Sequence, residues 1–147
     1  FGNSGVHLCH GMSYPISGMV RSYYPQGYPD DHPLVPHGIS VVLTAPAVLR
    51  FTSPACPERH LQAASWLGAD TTDVPAEQAG EVLVNRLLEL MRELELPNGI
   101  AELGFTADDA PALAKGTLPQ HRVTKLSPRP ASEADLVAMF EDSLTLW

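Results

Sequence analysis

The 147 residues hold 9 Lys and Arg against 17 Asp and Glu, a net charge of −8, and 44% of them are hydrophobic. That balance supports one folded domain with a real core, and it argues against nucleic-acid or anionic-membrane partners, because both require a basic patch to displace counterions. Two cysteines cannot build a disulfide framework, so a reducing compartment is expected.

The chain opens at Phe1 rather than Met, which reads as a piece of a longer protein, and nothing at its start resembles a signal peptide. A first helix is predicted over about residues 3–14. It places His7, His10 and Tyr14 at i, i+3 and i+7 on one face, and Pro15 is expected to stop or kink it. Residues 19–36 contain four prolines, one glycine and three tyrosines, a loop signature. Tyr23, Tyr24 and Tyr28 are candidate walls of a site there, and surface packing explains them equally well.

Pro36 sets His37 at the start of a new helix, predicted to run to about Phe51 with a bend at Pro46 and, being nearly continuously apolar, to lie centrally. Its longest apolar run, Ile39 to Leu49, is about 11 residues and too short to span a membrane. Pro57 opens a helix ending near Gly68 with Leu61, Ala64 and Leu67 inward. The longest helix begins at Asp73 to Pro75 and carries Ala79, Leu83, Leu87, Leu90 and Leu94 on one face until Pro97-Asn-Gly99 ends it. Thr106 with Asp109, and Ser132 with Asp135, have the spacing of capping boxes that begin helices at about 107–115 and 133–146. Residues 116–131 are predicted to be an extended loop. Leu136, Met139, Phe140 and Leu144 form the last stripe. No strand pattern competes, and the predicted class is all-α, a helical bundle.

The chemistry gathers at the start. Four of the six histidines, His7, His10, His32 and His37, fall in the first quarter. Histidine ligates a metal through a neutral ring nitrogen at about 2.0–2.1 Å, so segments as distant as these must be joined by the fold. Such clusters also serve as hydrogen-bonded core or loop residues, and on the residues alone both readings stand. There is no G-x-G-x-x-G, P-loop, G-x-S-x-G or H-E-x-x-H motif, hence no cofactor-binding element within the chain. His60, His121, Glu93, Glu95, Asp108 and Asp109 read as solvated surface, and Cys9 as a packing residue.

His10-Gly-Met-Ser-Tyr14 followed by Pro36-His-Gly38 resembles the signature of the iron-containing (group III) alcohol dehydrogenase family. Leu43-Thr-Ala-Pro46, Pro57-Glu-Arg-His60, Leu67-Gly-Ala-Asp70, residues 110–119 and Arg122-Val-Thr-Lys-Leu126 resemble its hydroxyacid–oxoacid transhydrogenase branch, and the likeness covers essentially the whole chain. It implies that residues 1–147 form the partial C-terminal, metal-binding helical domain of the dehydroquinate synthase-like fold, with the nucleotide-binding domain and two further ligands, an Asp and a His, upstream. By the same resemblance His10 and His37 bind a divalent metal, Fe²⁺ or Zn²⁺, and NAD is held mainly by the upstream domain. Tyr14 stands where the broader family has a second His, within reach of a substrate oxygen or a relay water. His7, Arg21 and Tyr24 are candidates for the substrate pocket, Arg21 as a carboxylate binder.

The implied reaction is hydride exchange between a hydroxy acid such as 4-hydroxybutyrate and an oxo acid such as 2-oxoglutarate, with the chain inactive by itself. An ordinary NAD-dependent alcohol dehydrogenase and a non-catalytic helical assembly module are the rival readings. The expected partners are small hydroxy and oxo acids, a second copy of the chain or the upstream half. The expected compartment is the cytoplasm in a bacterium and the mitochondrial matrix in a eukaryote.

Overall fold

The computed structural model describes residues 5–147, and among them every regular element is helical. In chain order these are α1 (Leu8–Met19), α2 (His37–Val42), α3 (Ala45–Thr52), α4 (Pro57–Trp66), α5 (Ala79–Glu93), α6 (Ala110–Thr117), α7 (His121–Thr124) and α8 (Glu133–Asp142). One core joins five of them: Leu8, Met12 and Ile16 of α1 are buried with Val48 of α3, Val84 and Met91 of α5, Leu113 of α6 and Phe140 of α8. Helix α1 packs on α2 and α6, α5 packs on α3 and α4, and α8 covers α6. The bundle therefore places α1 at its centre with one face left for α2.

Several boundaries differ from those predicted. The expected start of the first helix at Asn3 lies outside the described residues; Gly5 has φ +69°, outside the helical region, and α1 begins only at Leu8. At its other end α1 runs through Pro15 to Met19. An interior proline costs a helix on the order of 3 kcal/mol, but Met12 and Ile16 are fully buried on either side of it, and each such burial is worth about 1.5–3 kcal/mol. Tertiary packing outweighs the local rule. Gly116 in α6 permits the approach, since a Cβ there would lie 2.9 Å from the Pro15 ring.

The helix predicted from His37 to Phe51 is two helices, divided at Leu43 and Thr44. A proline ring clashes with the carbonyl four residues before it, so Pro46 deforms the turn beginning at Val42 and then fits the first turn of α3. By length and composition alone the helical stretch His37–Ala55 could cross a membrane, with a mean hydropathy of 1.2. Its Leu43, Ala47 and Val48 are instead part of the common core.

Leu67 and Leu94, expected inward, are 39% and 69% exposed because each falls just past its helix end. Asp73 has φ +54°, and α5 begins at Ala79 after a single 3-10 turn at Ala76–Gln78. The capping boxes at Thr106/Asp109 and Ser132/Asp135 are both present. The first opens a 3-10 turn, Ala107–Asp109, that leads into α6, and α8 ends at Asp142 rather than 146. The predicted loop over 116–131 contains the end of α6 and all of α7.

Candidate metal centre

His37 is the first residue of α2, and His10 is in the first turn of α1. The packing of these two helices brings the rings together: their centroids are 5.3 Å apart with planes at 66°. Two imidazoles bound to one ion by nitrogens at about 2.0–2.1 Å in tetrahedral geometry have centroids about 5 Å apart, so the observed spacing fits a shared metal. Burial, and then the neighbouring His37, lower the pKa of His10. The neutral ring this favours is the form that ligates.

Each histidine has the same brace. Ser13 donates its hydroxyl to the His10 carbonyl at 2.8 Å, and Ser40 donates to the His37 carbonyl at 2.8 Å. Both serines are buried, and both follow their histidine by three residues. The sequence carries this as a repeated tetrapeptide, His10-Gly-Met-Ser13 and His37-Gly-Ile-Ser40. The repeat is visible in the sequence, and the fold shows what its serines do. Among the described residues no three His, Cys, Asp or Glu side chains converge as metal ligands.

The other candidates lie on α1, just before it, or on the loop that follows it. Tyr14 is half-buried one turn further along α1. His7 caps the start of α1, its carbonyl accepting the N–H groups of His10 and Gly11 at 3.0 Å. Its Nδ1 is buried without a hydrogen-bond partner, and burial, then His10 and His60, lower its pKa. Arg21 is paired with Asp109 at 2.8 Å, and Tyr24 is 51% exposed on the loop. Two residues read as solvated surface are not. Asp109 is 8% exposed because it receives the Thr106 N–H at 2.9 Å as well as Arg21. His60 is 6% exposed, on the same face of α4 as Ala64. An i, i+4 pairing of His60 with Ala64 was the available signal.

The helical domain sets two braced histidines from separate helices side by side. The chain belongs to the iron-containing alcohol dehydrogenase family: the family model described as "Fe-containing alcohol dehydrogenase family, C-terminal" matches residues 1–144. Among curated proteins it is 58% identical over 147 residues to the mitochondrial hydroxyacid-oxoacid transhydrogenase of Xenopus laevis, and 57% identical to that of Homo sapiens. Each alignment covers 100% of this chain and 32% of the relative, so the chain spans about a third of their length. Among solved structures, an alcohol dehydrogenase from Oenococcus oeni shares the fold with a TM-score of 0.78 at 22% identity, covering 93% of this chain and 32% of that one.

Proposed function

We propose that this chain supplies His10 and His37 to the divalent metal, Fe²⁺ or Zn²⁺, of an NAD-linked oxidoreductase that exchanges hydride between small hydroxy acids and oxo acids. The observation that carries the reading is the 5.3 Å approach of the two rings, each on a backbone braced by a serine. The identity to transhydrogenases over the whole chain supports the substrate class. The upstream part of the protein supplies the remaining ligands and the NAD site, and this chain alone is inactive. Where the host is a eukaryote, the compartment proposed is the mitochondrial matrix, following the relatives' names.

When bound, such a metal supplies Lewis acidity that lowers the pKa of a substrate hydroxyl. His10 and His37 contribute neutral nitrogens from two rigid helices, which fixes where a substrate oxygen is held. Tyr14, one turn beyond His10 on α1, hydrogen-bonds that oxygen or a water next to it. Arg21 is engaged with Asp109, so its role is to tie the loop after α1 to the turn before α6. His7 stands at the mouth of α1 beside His10.

Assay of the full-length protein separates the transhydrogenase from an ordinary alcohol dehydrogenase. With no free NAD added, 4-hydroxybutyrate oxidation is expected to depend on added 2-oxoglutarate and to consume the two acids in equal amounts. A protein that ignores the oxo acid and turns over only with free NAD contradicts the assignment.

A further inference from the structure

A cavity of about 340 Å³ lies among α1, α7 and the entry to α8, and neither His10 nor His37 lines it. Its volume is at the lower end of the roughly 300–1,000 Å³ typical of small-molecule sites. Leu8, Leu118, Ala131 and Leu136 give it an apolar floor, and Leu8 and Leu136 belong to the buried core. His121 and Lys125, spaced i and i+4 and both exposed, form its rim. Leu8 and His10 are two residues apart on α1, which at about 100° per residue sets them on different sides of the helix. The cavity floor and the His10 ring therefore do not share a face.

The rim selects for charge. The chain carries 17 Asp and Glu against 9 Lys and Arg, yet no acidic residue lines this cavity. Of the nine cations, Arg21, Arg50 and Arg86 are held by carboxylates, and Arg129 by the Phe51 carbonyl. Lys125 lines the cavity and forms no ion pair among the described residues. Two hydroxyls also line the cavity, but Thr124 donates to the Gln120 carbonyl at 3.2 Å and Ser127 to the Arg129 carbonyl at 2.7 Å. Both have committed their protons, so the side-chain donors left for an anion are the Lys125 ammonium and the His121 ring N–H. A cationic head group would meet no carboxylate in the lining.

We infer that this cavity is a second binding site, which takes a medium-chain aliphatic monocarboxylate with its hydrocarbon tail on Leu8, Leu118 and Leu136 and its carboxylate on Lys125. The tail supplies most of the affinity, up to about fourfold for each methylene buried. The ammonium supplies the preference for an acid over the alcohol of the same length. The α7 wall rests directly on α1, where a Cβ at Gly11 would lie 3.0 Å from Thr124 Cγ2, so the site adjoins the helix that carries His10. Binding here requires neither the metal nor the hydride exchange proposed above, and is tested apart from both.

The experiment titrates full-length protein with octanoate by isothermal calorimetry, with butyrate, hexanoate and octan-1-ol as companions. Octanoate is expected to saturate at about one per chain, to bind more tightly than hexanoate and butyrate in that order, and to exceed octan-1-ol by about tenfold, the scale of a charged hydrogen bond. Lys125→Met keeps the apolar stem of an exposed residue and removes its charge, so octanoate should fall to the level of octan-1-ol. Ala131→Phe fills the cavity and should weaken acid and alcohol alike, with helical circular dichroism retained in both variants. Octanoate should also bind equally well with 2-oxoglutarate in excess. No saturable octanoate binding, an affinity that either folded variant leaves unchanged, or displacement by 2-oxoglutarate overturns the inference.

Discussion

Arg21 and Asp109, 88 positions apart in the chain, meet at 2.8 Å, and the same carboxylate receives the Thr106 N–H that opens the turn into α6. The Thr106 N–H first, and Arg21 after it, hold the Asp109 carboxyl below its ordinary 3.8. A carboxylate depressed in the folded state stabilises above its unfolded pKa and loses that contribution as pH falls through the folded value. Asp109→Ala is therefore expected to cost about 1–2 kcal/mol near neutral pH, the scale of a lost cap and a charged hydrogen bond. The gap from wild type should close as pH drops below 3.8. Arg21→Ala should cost less, at most about 1 kcal/mol, because its guanidinium is largely exposed. Chemical denaturation at several pH values reads both, and a penalty at Asp109 that grows on acidification would contradict the sign.

Two helical glycines should respond to alanine in opposite directions. Gly18, near the end of α1, has nothing within 4 Å of a built Cβ, so Gly18→Ala gains helix propensity of up to about 1 kcal/mol. At Gly116 the same gain meets the Pro15 ring at 2.9 Å, and a rigid ring in a packed core cannot yield cheaply. Overpacking of this kind costs about 1–3 kcal/mol, so Gly116→Ala should be net destabilising. Thermal melts of the two variants side by side decide it.

Ser13 and Ser40 offer a test closer to the metal. Removal of either hydroxyl frees the carbonyl of a proposed ligand from its side-chain brace. Ser13→Ala and Ser40→Ala should each weaken metal retention against a chelator by up to about tenfold, with a stability cost of about 0.5–1.5 kcal/mol. Stability loss with metal affinity untouched would reduce the serines to ordinary helix residues.

The legible parts of the fold were those with dense local signals. The heptad-like run of α5, the two capping boxes and the Pro36-His37 entry into α2 are local choices that agree with the global packing. What escaped depended on tertiary contacts. Nothing near Pro15 announces that α6 has a glycine waiting opposite it, and the Glu58-Arg59 pair beside His60 makes a buried ring look solvated. Asp109 looked like surface because its partner, Arg21, is 88 residues away. His10 and His37 each stand in a compact motif that the sequence shows, although only the α1–α2 packing shows that the two rings meet.

The central claim is that His10 and His37 hold one metal ion together. The most direct measurement is elemental analysis of iron and zinc in the purified full-length protein, beside His10→Ala, His37→Ala and the double variant. About one ion per chain in wild type, with retention against a chelator reduced by more than about 100-fold in each single variant and no further loss in the double, is the predicted result. Full metal retention in either single variant, in a protein that keeps its helical circular dichroism, would contradict it.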